Sequence, residues 1–147
     1  MLANPYADSL ELRISSATPL ELVTILYDGA IDAVRSAREH LASGEIYLRS
    51  RAVTKAVNIL IELSRSLNME AGGELSRRLS GLYDFMQRSL LDANFRQTDE
   101  GLATTEKLLT ELREAWAALS HGRSQVTPAV YPVREMPNAL AGRSWSA

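Results

Sequence analysis

The chain has 147 residues, of which 46% are hydrophobic and 23% charged, with a formal net charge of −2 and no cysteine. This length and composition are typical of one soluble globular domain. The absence of cysteine excludes disulfides, thiolate metal sites and cysteine nucleophiles, and it fits a reducing compartment. The charge distribution lacks the basic face of a nucleic-acid binder.

The N-terminal region has neither a basic segment nor a long apolar run, so it does not resemble a secretory signal. No apolar run of the sequence approaches the roughly 20 residues that cross a bilayer. We therefore expect a cytoplasmic protein without a membrane partner.

The first predicted helix follows an N-terminal arm. Residues 1–17 show no clean helical period and are expected to be extended or partly helical. Thr18 can then cap a helix, Pro19 suits the first helical position, and Glu21 completes a capping box. The helix is expected to run to about Ala42 and to end at the following Ser-Gly pair.

Three further helices are predicted after short breaks. They run from Glu45 to about Leu67, from about Glu74 to Phe95 after a Gly-Gly break, and from about Glu100 to Leu119, with Thr98 or Asp99 as cap. Four helices with short connections predict an all-α, antiparallel up-down-up-down four-helix bundle over residues 18–120.

Apolar residues at steps of three and four mark the predicted core side of these helices. In the first helix they are Val23, Leu26, Ala30, Val34, Ala37 and Leu41. In the third they are Leu75, Leu79, Leu82, Met86, Leu90 and Ala93, and in the fourth Leu108, Leu112, Trp116 and Leu119.

The C-terminal region, residues 121–147, differs in composition from the rest. It holds Pro128, Pro132 and Pro137, three of the five prolines of the chain. Proline at this density favours an extended or disordered tail over a continuing helix. Four apolar residues give this tail some capacity to adhere to a surface: Val130, Tyr131, Val133 and Trp145.

The second helix carries more apolar surface than one bundle seam needs. At about 100° per residue, its apolar positions cover roughly 220° of the helical wheel, against about 100° for an ordinary surface helix. Gly29 in the middle of the first helix costs about 1 kcal/mol relative to alanine, and close approach of another helix would offset this cost. The alternative is that each surplus apolar residue packs against the loops, the N-terminal arm or the C-terminal tail of the same chain.

Taken together, the surplus predicts an apolar groove for an amphipathic segment. The candidate groove residues are Ile25, Gly29, Leu48, Ala52, Ile59, Phe85 and Leu91. The candidate rim residues are Tyr27, Tyr83 and Asn94, and the arm residues that could cover an empty groove are Tyr6, Leu10 and Ile14. Which flank of the second helix forms the groove stays open.

No residue pattern predicts catalysis, a metal site or a bound cofactor. Neither His40 nor His121 follows a glutamate by three positions, as a di-iron bundle requires. Phosphate-binding glycine loops, zinc spacings and the Gly-x-Ser-x-Gly motif of hydrolases are absent from the sequence. Acidic pairs such as Asp28 with Asp32 are explained by solvated faces or local ion pairs.

Several segments together resemble the flagellar export chaperones that bind flagellin. They are Ile14–Pro19, Leu26–Ile31 (LYDGAI), Leu67–Leu75, Leu82–Met86 (LYDFM), Leu90–Asn94 and Leu109–Trp116 (LTELREAW). The resemblance implies a bundle that wraps the disordered C-terminal segment of flagellin around its apolar surface. It further implies that flagellin is kept from polymerising in the cytoplasm and is delivered to the flagellar type III export gate.

The resemblance also implies that the arm occupies part of the groove when flagellin is absent. The arm is slightly long between Tyr6 and Ile14, and the resemblance does not extend to the tail. A co-chaperone and a homodimer remain open as partners. The alternative from another class is a homo-oligomeric structural or adaptor bundle whose surplus apolar face pairs with itself.

Overall fold

A computed structural model of the chain describes Leu12, residues 18–121 and the pair Val130–Tyr131. The four helices are α1 (Pro19–Ala42), α2 (Ile46–Arg65), α3 (Met69–Arg96) and α4 (Glu100–His121). The described residues contain no strand. The predicted arm therefore lies outside the described residues except for Leu12, which is helical and exposed.

The four helices form a ring in chain order. α1 packs against α2 and α4, and α3 packs against the same two helices from the opposite corner. Neighbours are antiparallel, because Arg38 near the end of α1 meets Asp99 before α4, whereas the earlier Asp28 meets the later Arg113. The predicted all-α antiparallel four-helix bundle is confirmed.

Local signals position both ends of α1 as the sequence predicts. The Thr18 hydroxyl accepts a hydrogen bond from the Glu21 amide at 3.2 Å, and the Glu21 carboxylate accepts one from the Thr18 amide, which completes the capping box. At the other end the chain turns at Gly44, whose φ of +74° lies in the left-handed region that favours glycine. Both predictions are local, and both are confirmed.

The start of α3 differs from the prediction. Asn68 caps the helix by accepting a hydrogen bond from the Ala71 amide at 2.8 Å, so the helix begins at Met69 and not near Glu74. The glycine break exists, but it lies inside the helix: Gly73 has φ +54° and ψ −130° and interrupts an otherwise helical segment. Asparagine is among the strongest N-capping residues, and this start was missed.

The core agrees with the predicted stripe of α1, except that Leu41 is only partly buried. In α3, Leu75 is exposed and Leu82 partly buried. The stripe predicted for α4 is shifted, since its most buried side chains are Leu102, Thr105, Leu109 and Trp116. Trp116 is buried as predicted, whereas Leu108, Leu112 and Leu119 are partly buried and pack against the core from its edge. The polar Thr105 at a buried position interrupts the apolar repeat, which hides the centre of the stripe in the sequence.

Ion pairs join α1 to α4 along their shared face. Arg38 binds Asp99 at 2.8 Å and Glu106 at 3.0 Å, and Arg113 binds Asp28 at 2.8 Å. The Arg38 guanidinium lowers the pKa of the Asp99 carboxylate through their hydrogen bond. Asp28 thus pairs across helices. Because the face shared by α1 and α4 is charged, an apolar binding surface is expected on the side of the bundle formed by α2 and α3.

Candidate partner-binding surface

Part of the predicted groove is a tight contact within the bundle. A Cβ placed on Gly29 would lie 3.2 Å from Cδ1 of Ile59, and Ile59 is only 2% exposed. Ile25 and Ala52 are partly buried. The missing side chain of Gly29 therefore serves the approach of α1 to α2.

Other predicted groove residues lie on the surface. Leu48 of α2 and both Phe85 and Leu91 of α3 are exposed. Phe85 and Leu91 do not form one line, because six residues rotate the side-chain direction by about 240° around the helix. The structure therefore places Leu91 and Phe85 on different sides of the outer face of α3.

Asn94, a predicted rim residue, ties the first turn of α2 to the last turn of α3. Its side-chain oxygen accepts a 2.7 Å hydrogen bond from Nε of Arg49, and its backbone oxygen accepts a second from Nη2 at 3.3 Å. Its side-chain nitrogen donates to the Ser50 hydroxyl at 3.3 Å. Asn94 is partly buried and Arg49 is buried, so the two helix ends are held in a fixed relation.

Four exposed apolar side chains surround this junction. Ile46 and Tyr47 precede Arg49 and Ser50 by three positions, which places them one helical turn away on the same side of α2. Leu91 precedes Asn94 by three positions, and Phe95 follows Leu91 by four. We call these four residues, Ile46, Tyr47, Leu91 and Phe95, the α2–α3 surface.

Sequence reasoning found only Leu91 of this surface. Phe95 has the most exposed large apolar side chain of the described residues, at 85%, and Leu91 is 52% exposed. Phe95 is the last residue of the predicted third helix, a position that by itself does not indicate a binding role. The signal that could have found it is its spacing of four from Leu91, which gives a continuous apolar strip.

The ring of Tyr47 is held by a neighbour on its own helix. The Arg51 guanidinium carbon lies 5.7 Å from the centre of the Tyr47 ring, a cation–π distance. At an exposed site such a contact contributes about 0.5–1 kcal/mol. The α2–α3 surface therefore combines apolar area with one fixed aromatic ring and one flanking positive charge.

Tyr27 and Tyr83 do not lie on a rim, and this prediction is wrong. Both are fully buried, and their hydroxyl oxygens are 2.6 Å apart. The Tyr83 hydroxyl lies equally close, at 2.6 Å, to that of Tyr131. The prediction placed both rings at the bundle edge, whereas the structure places them inside the core, where each hydroxyl has a tyrosine partner.

These three residues, Tyr27, Tyr83 and Tyr131, form what we call the tyrosine cluster. Burial raises the pKa of Tyr27 to about 12, although hydrogen bonds from Tyr83 and Trp116 oppose the shift. Burial also raises the pKa values of Tyr83 and Tyr131 well above the ordinary value. The three hydroxyls therefore stay protonated to a higher pH than an exposed tyrosine would, which suits a structural role better than proton transfer.

Tyr6, Leu10 and Ile14 lie outside the described residues. Within the part of the chain that the structure describes, no three acidic or histidine side chains are grouped as a metal site would need. None of the described helices has a stretch long and apolar enough to cross a membrane.

Comparison with known proteins matches the bundle as a whole. The family model described as flagellar protein FliS matches residues 2–123. The flagellar secretion chaperone FliS of Salmonella typhimurium strain LT2 is 40% identical over 113 residues, which is 76% of this chain and 84% of that protein. The corresponding chaperone of Bacillus subtilis strain 168 is 33% identical over 115 residues, 78% of this chain and 85% of its own length.

Proposed function

This chain belongs to the FliS family of flagellar proteins, and we propose that it is a flagellar secretion chaperone that binds the disordered C-terminal segment of flagellin. In this proposal it acts in the cytoplasm, keeps flagellin from polymerising and delivers it to the flagellar type III export gate. The observation that carries the proposal is the family match over residues 2–123, which spans the entire bundle.

We further propose that the α2–α3 surface is part of the flagellin-binding site. Exposed apolar strips of this kind accept the apolar face of an amphipathic helix. Phe95 and Leu91 present such a strip, and the Arg49–Asn94 hydrogen bonds hold it against α2. Leu48 on α2 and Phe85 on α3 are also exposed and belong to the proposal as further contacts, with Phe85 forming a patch separate from Leu91.

The proposed binding rests on burial of apolar surface. Each Å² of apolar surface removed from water contributes about 25 cal/mol, and this gain offsets the cost of ordering a disordered segment. A ligand that orders on binding can cover several separate patches, so Phe85 need not adjoin Leu91. Contact with the export gate, and with any co-chaperone, belongs to the same proposal.

Calorimetric titration of the purified chain with a flagellin C-terminal peptide tests this function. We expect Phe95→Asp to weaken binding at least ten-fold, since it places a charge where apolar surface should be buried. Leu75→Asp is the matched control, because Leu75 is also exposed on α3 but lies about 30 Å away at 1.5 Å per residue.

The opposing outcome is equally specific. If the peptide does not bind and light scattering shows a tight dimer that Phe95→Asp dissociates, the α2–α3 surface pairs with a second copy. The adaptor bundle would then be the better description. If Phe95→Asp and Leu75→Asp weaken peptide binding equally, the protein still binds the peptide, but the α2–α3 surface is not the binding site.

A further inference from the structure

Two residues of the tail are buried in the bundle although they lie beyond the end of α4. Val130 and Tyr131 are 1% and 0% exposed. They also lie beyond residue 123, where the family match ends. The sequence predicts an extended or disordered tail with some capacity to adhere to a surface, and Val130 and Tyr131, two of the four residues with that capacity, pack into the bundle. Their contacts define a site that the family match does not account for.

Val130 binds the turn between α2 and α3 through its backbone. The Asn68 amide donates to the Val130 carbonyl oxygen at 2.7 Å. Asn68 already uses its side-chain oxygen to cap α3, and its carbonyl accepts from the Gly72 amide at 2.9 Å and from the Ser76 hydroxyl at 2.8 Å. Val130 thus satisfies the backbone amide of this residue, whose carbonyl is already bound within α3.

The absence of a side chain at Gly72 allows Val130 of the tail to lie close to the backbone at the start of α3. A Cβ on Gly72 would lie 3.3 Å from Cα of Val130 and would overlap the Ser76 hydroxyl. Any larger residue would therefore displace the Ser76 side chain, whose hydroxyl donates to the Asn68 carbonyl, and would crowd the tail at Val130. Gly72 has a packing role that is separate from the left-handed turn at Gly73.

Tyr131 occupies a site built from aromatic residues of two helices. Its hydroxyl lies 2.6 Å from that of Tyr83 on α3. Its ring meets that of Trp116 on α4 edge to face, with centroids 5.6 Å apart and planes at 64°. Trp116 also opposes the rise in the pKa of Tyr27, so the indole acts on a second member of the tyrosine cluster. The site therefore fits a phenol better than a plain phenyl ring, which would leave Tyr83 one hydrogen bond short.

We propose that Asn68, Gly72, Tyr83 and Trp116 form a peptide-binding socket, and that Val130–Tyr131 of the same chain is its resident ligand. The ligand class is a short segment in which a free backbone carbonyl precedes a tyrosine. Eight residues, 122–129, connect α4 to this segment. A short tether keeps the local concentration of the segment in the millimolar range, so the socket stays filled without tight intrinsic affinity. The proposal is independent of flagellin binding.

Replacement of the ligand in the full chain provides the main test. Tyr131→Ala should lower the melting temperature by roughly 10 °C, as expected when a buried aromatic side chain is truncated in a domain of this size. A synthetic peptide of residues 126–135, VTPAVYPVRE, should then raise the melting temperature of Tyr131→Ala but not of the wild type. The same peptide with alanine in place of its tyrosine should have no effect.

Three outcomes would overturn the socket. They are an unchanged melting temperature in Tyr131→Ala, no response of that variant to the peptide, or equal responses of variant and wild type. Light scattering addresses the remaining alternative, since a dimer that separates in Tyr131→Ala would show that a second copy supplies the tyrosine.

A conservative variant keeps the proposal testable if Tyr131→Ala does not fold. Tyr131→Phe retains the ring and removes only the hydroxyl, so the Val130–Tyr131 segment should leave the socket more often. Hydrogen exchange of the Asn68 amide should then accelerate several-fold. The Ser43 amide, which donates to the Glu39 carbonyl at 3.0 Å at the opposite end of the bundle, should not change. Equal acceleration at both amides, or no acceleration at either, would contradict a local role of Tyr131 in holding the tail.

Discussion

The hydroxyl groups of Tyr27 and Tyr83 meet at 2.6 Å across the diagonal of the bundle. Each tyrosine is the middle residue of a Leu-Tyr-Asp triplet, one in α1 and one in α3. The aspartates of the two triplets differ, since Asp28 binds Arg113 whereas Asp84 is exposed. What the two triplets share in the fold is therefore a pair of tyrosines directed at each other.

Tyr83→Phe should destabilise the protein more than its small change in volume suggests. The variant loses two hydrogen bonds and leaves the hydroxyls of Tyr27 and Tyr131 short of a partner inside the core. Each such loss costs about 1–3 kcal/mol, so we expect a decrease of roughly 2–4 kcal/mol in the free energy of unfolding from urea titrations. Tyr47→Phe, at an exposed ring, should change it by less than about 0.5 kcal/mol.

The tyrosine cluster also predicts a loss of stability at high pH. The folded pKa of Tyr27 is raised from 10.0 to about 12, so between these values the folded state holds a proton that the unfolded state has released. The stabilisation is thus fully present below pH 10 and is lost as pH rises toward 12. The slope approaches 1.36 kcal/mol per pH unit for one such group.

Urea titrations between pH 8 and pH 11 provide the measurement for this linkage. The wild type should lose stability more steeply above pH 10 than Tyr27→Phe, which lacks the titrating group. Parallel pH profiles for the two proteins would show that Tyr27 does not contribute to the alkaline transition.

The two triplets also mark a limit of prediction from sequence. Helix ends were predicted where the signal is local, as at Thr18 and Glu21. The burial of Tyr27 was not predicted, because its hydroxyl is satisfied by a residue 56 positions away in the sequence. Tyr131 is the extreme case, since its apolar ring indicates that the tail can adhere to a surface, but nothing in the proline-rich segment indicates that this residue enters the core.

The candidate surface was predicted in part for a similar reason. Wheel geometry identified surplus apolar positions, and Leu91 and Phe85 are exposed as a surplus should be. Wheel geometry does not distinguish positions that face a neighbouring helix from positions that face solvent. Ile59 therefore entered the same set as Leu91, although it packs on Gly29 within the bundle.

Gly29→Ala and Gly81→Ala should change stability in opposite directions. Gly81 is exposed in α3 with nothing within 4 Å of an added Cβ, so alanine should stabilise the protein by about 0.5–1 kcal/mol through helix propensity. At Gly29 the new methyl group would crowd Cδ1 of buried Ile59, and we expect net destabilisation of about 1 kcal/mol.

The double variant Gly29→Ala with Ile59→Val isolates this contact. Ile59→Val removes the crowded methyl group, so the double variant should be more stable than the sum of the two single changes predicts. Additive behaviour in urea titrations would mean that Ile59 moves aside freely, and the close approach of α1 and α2 would then not explain the glycine.

Removal of the N-terminal arm should strengthen binding of a flagellin peptide. The proposed arm residues Tyr6, Leu10 and Ile14 compete with flagellin in this interpretation, so their removal frees the site. If the arm covers the site nine-tenths of the time, deletion of residues 1–16 should lower the apparent Kd about ten-fold. The deletion retains Thr18 and Glu21, whose capping box starts α1, and the melting temperature should confirm that the bundle stays intact.

Calorimetry and stopped-flow fluorescence distinguish competition from a simple loss of stability. A competing arm slows association, so the truncated chain should bind faster with an unchanged dissociation rate. Leu10→Asp in the full chain should give the same direction of change, because one charge in an apolar contact weakens the arm without shortening it. Equal or weaker binding by both variants, with unaltered melting temperatures, would show that the arm assists flagellin binding or takes no part in it. The apolar positions of the arm would then be assigned to a different partner.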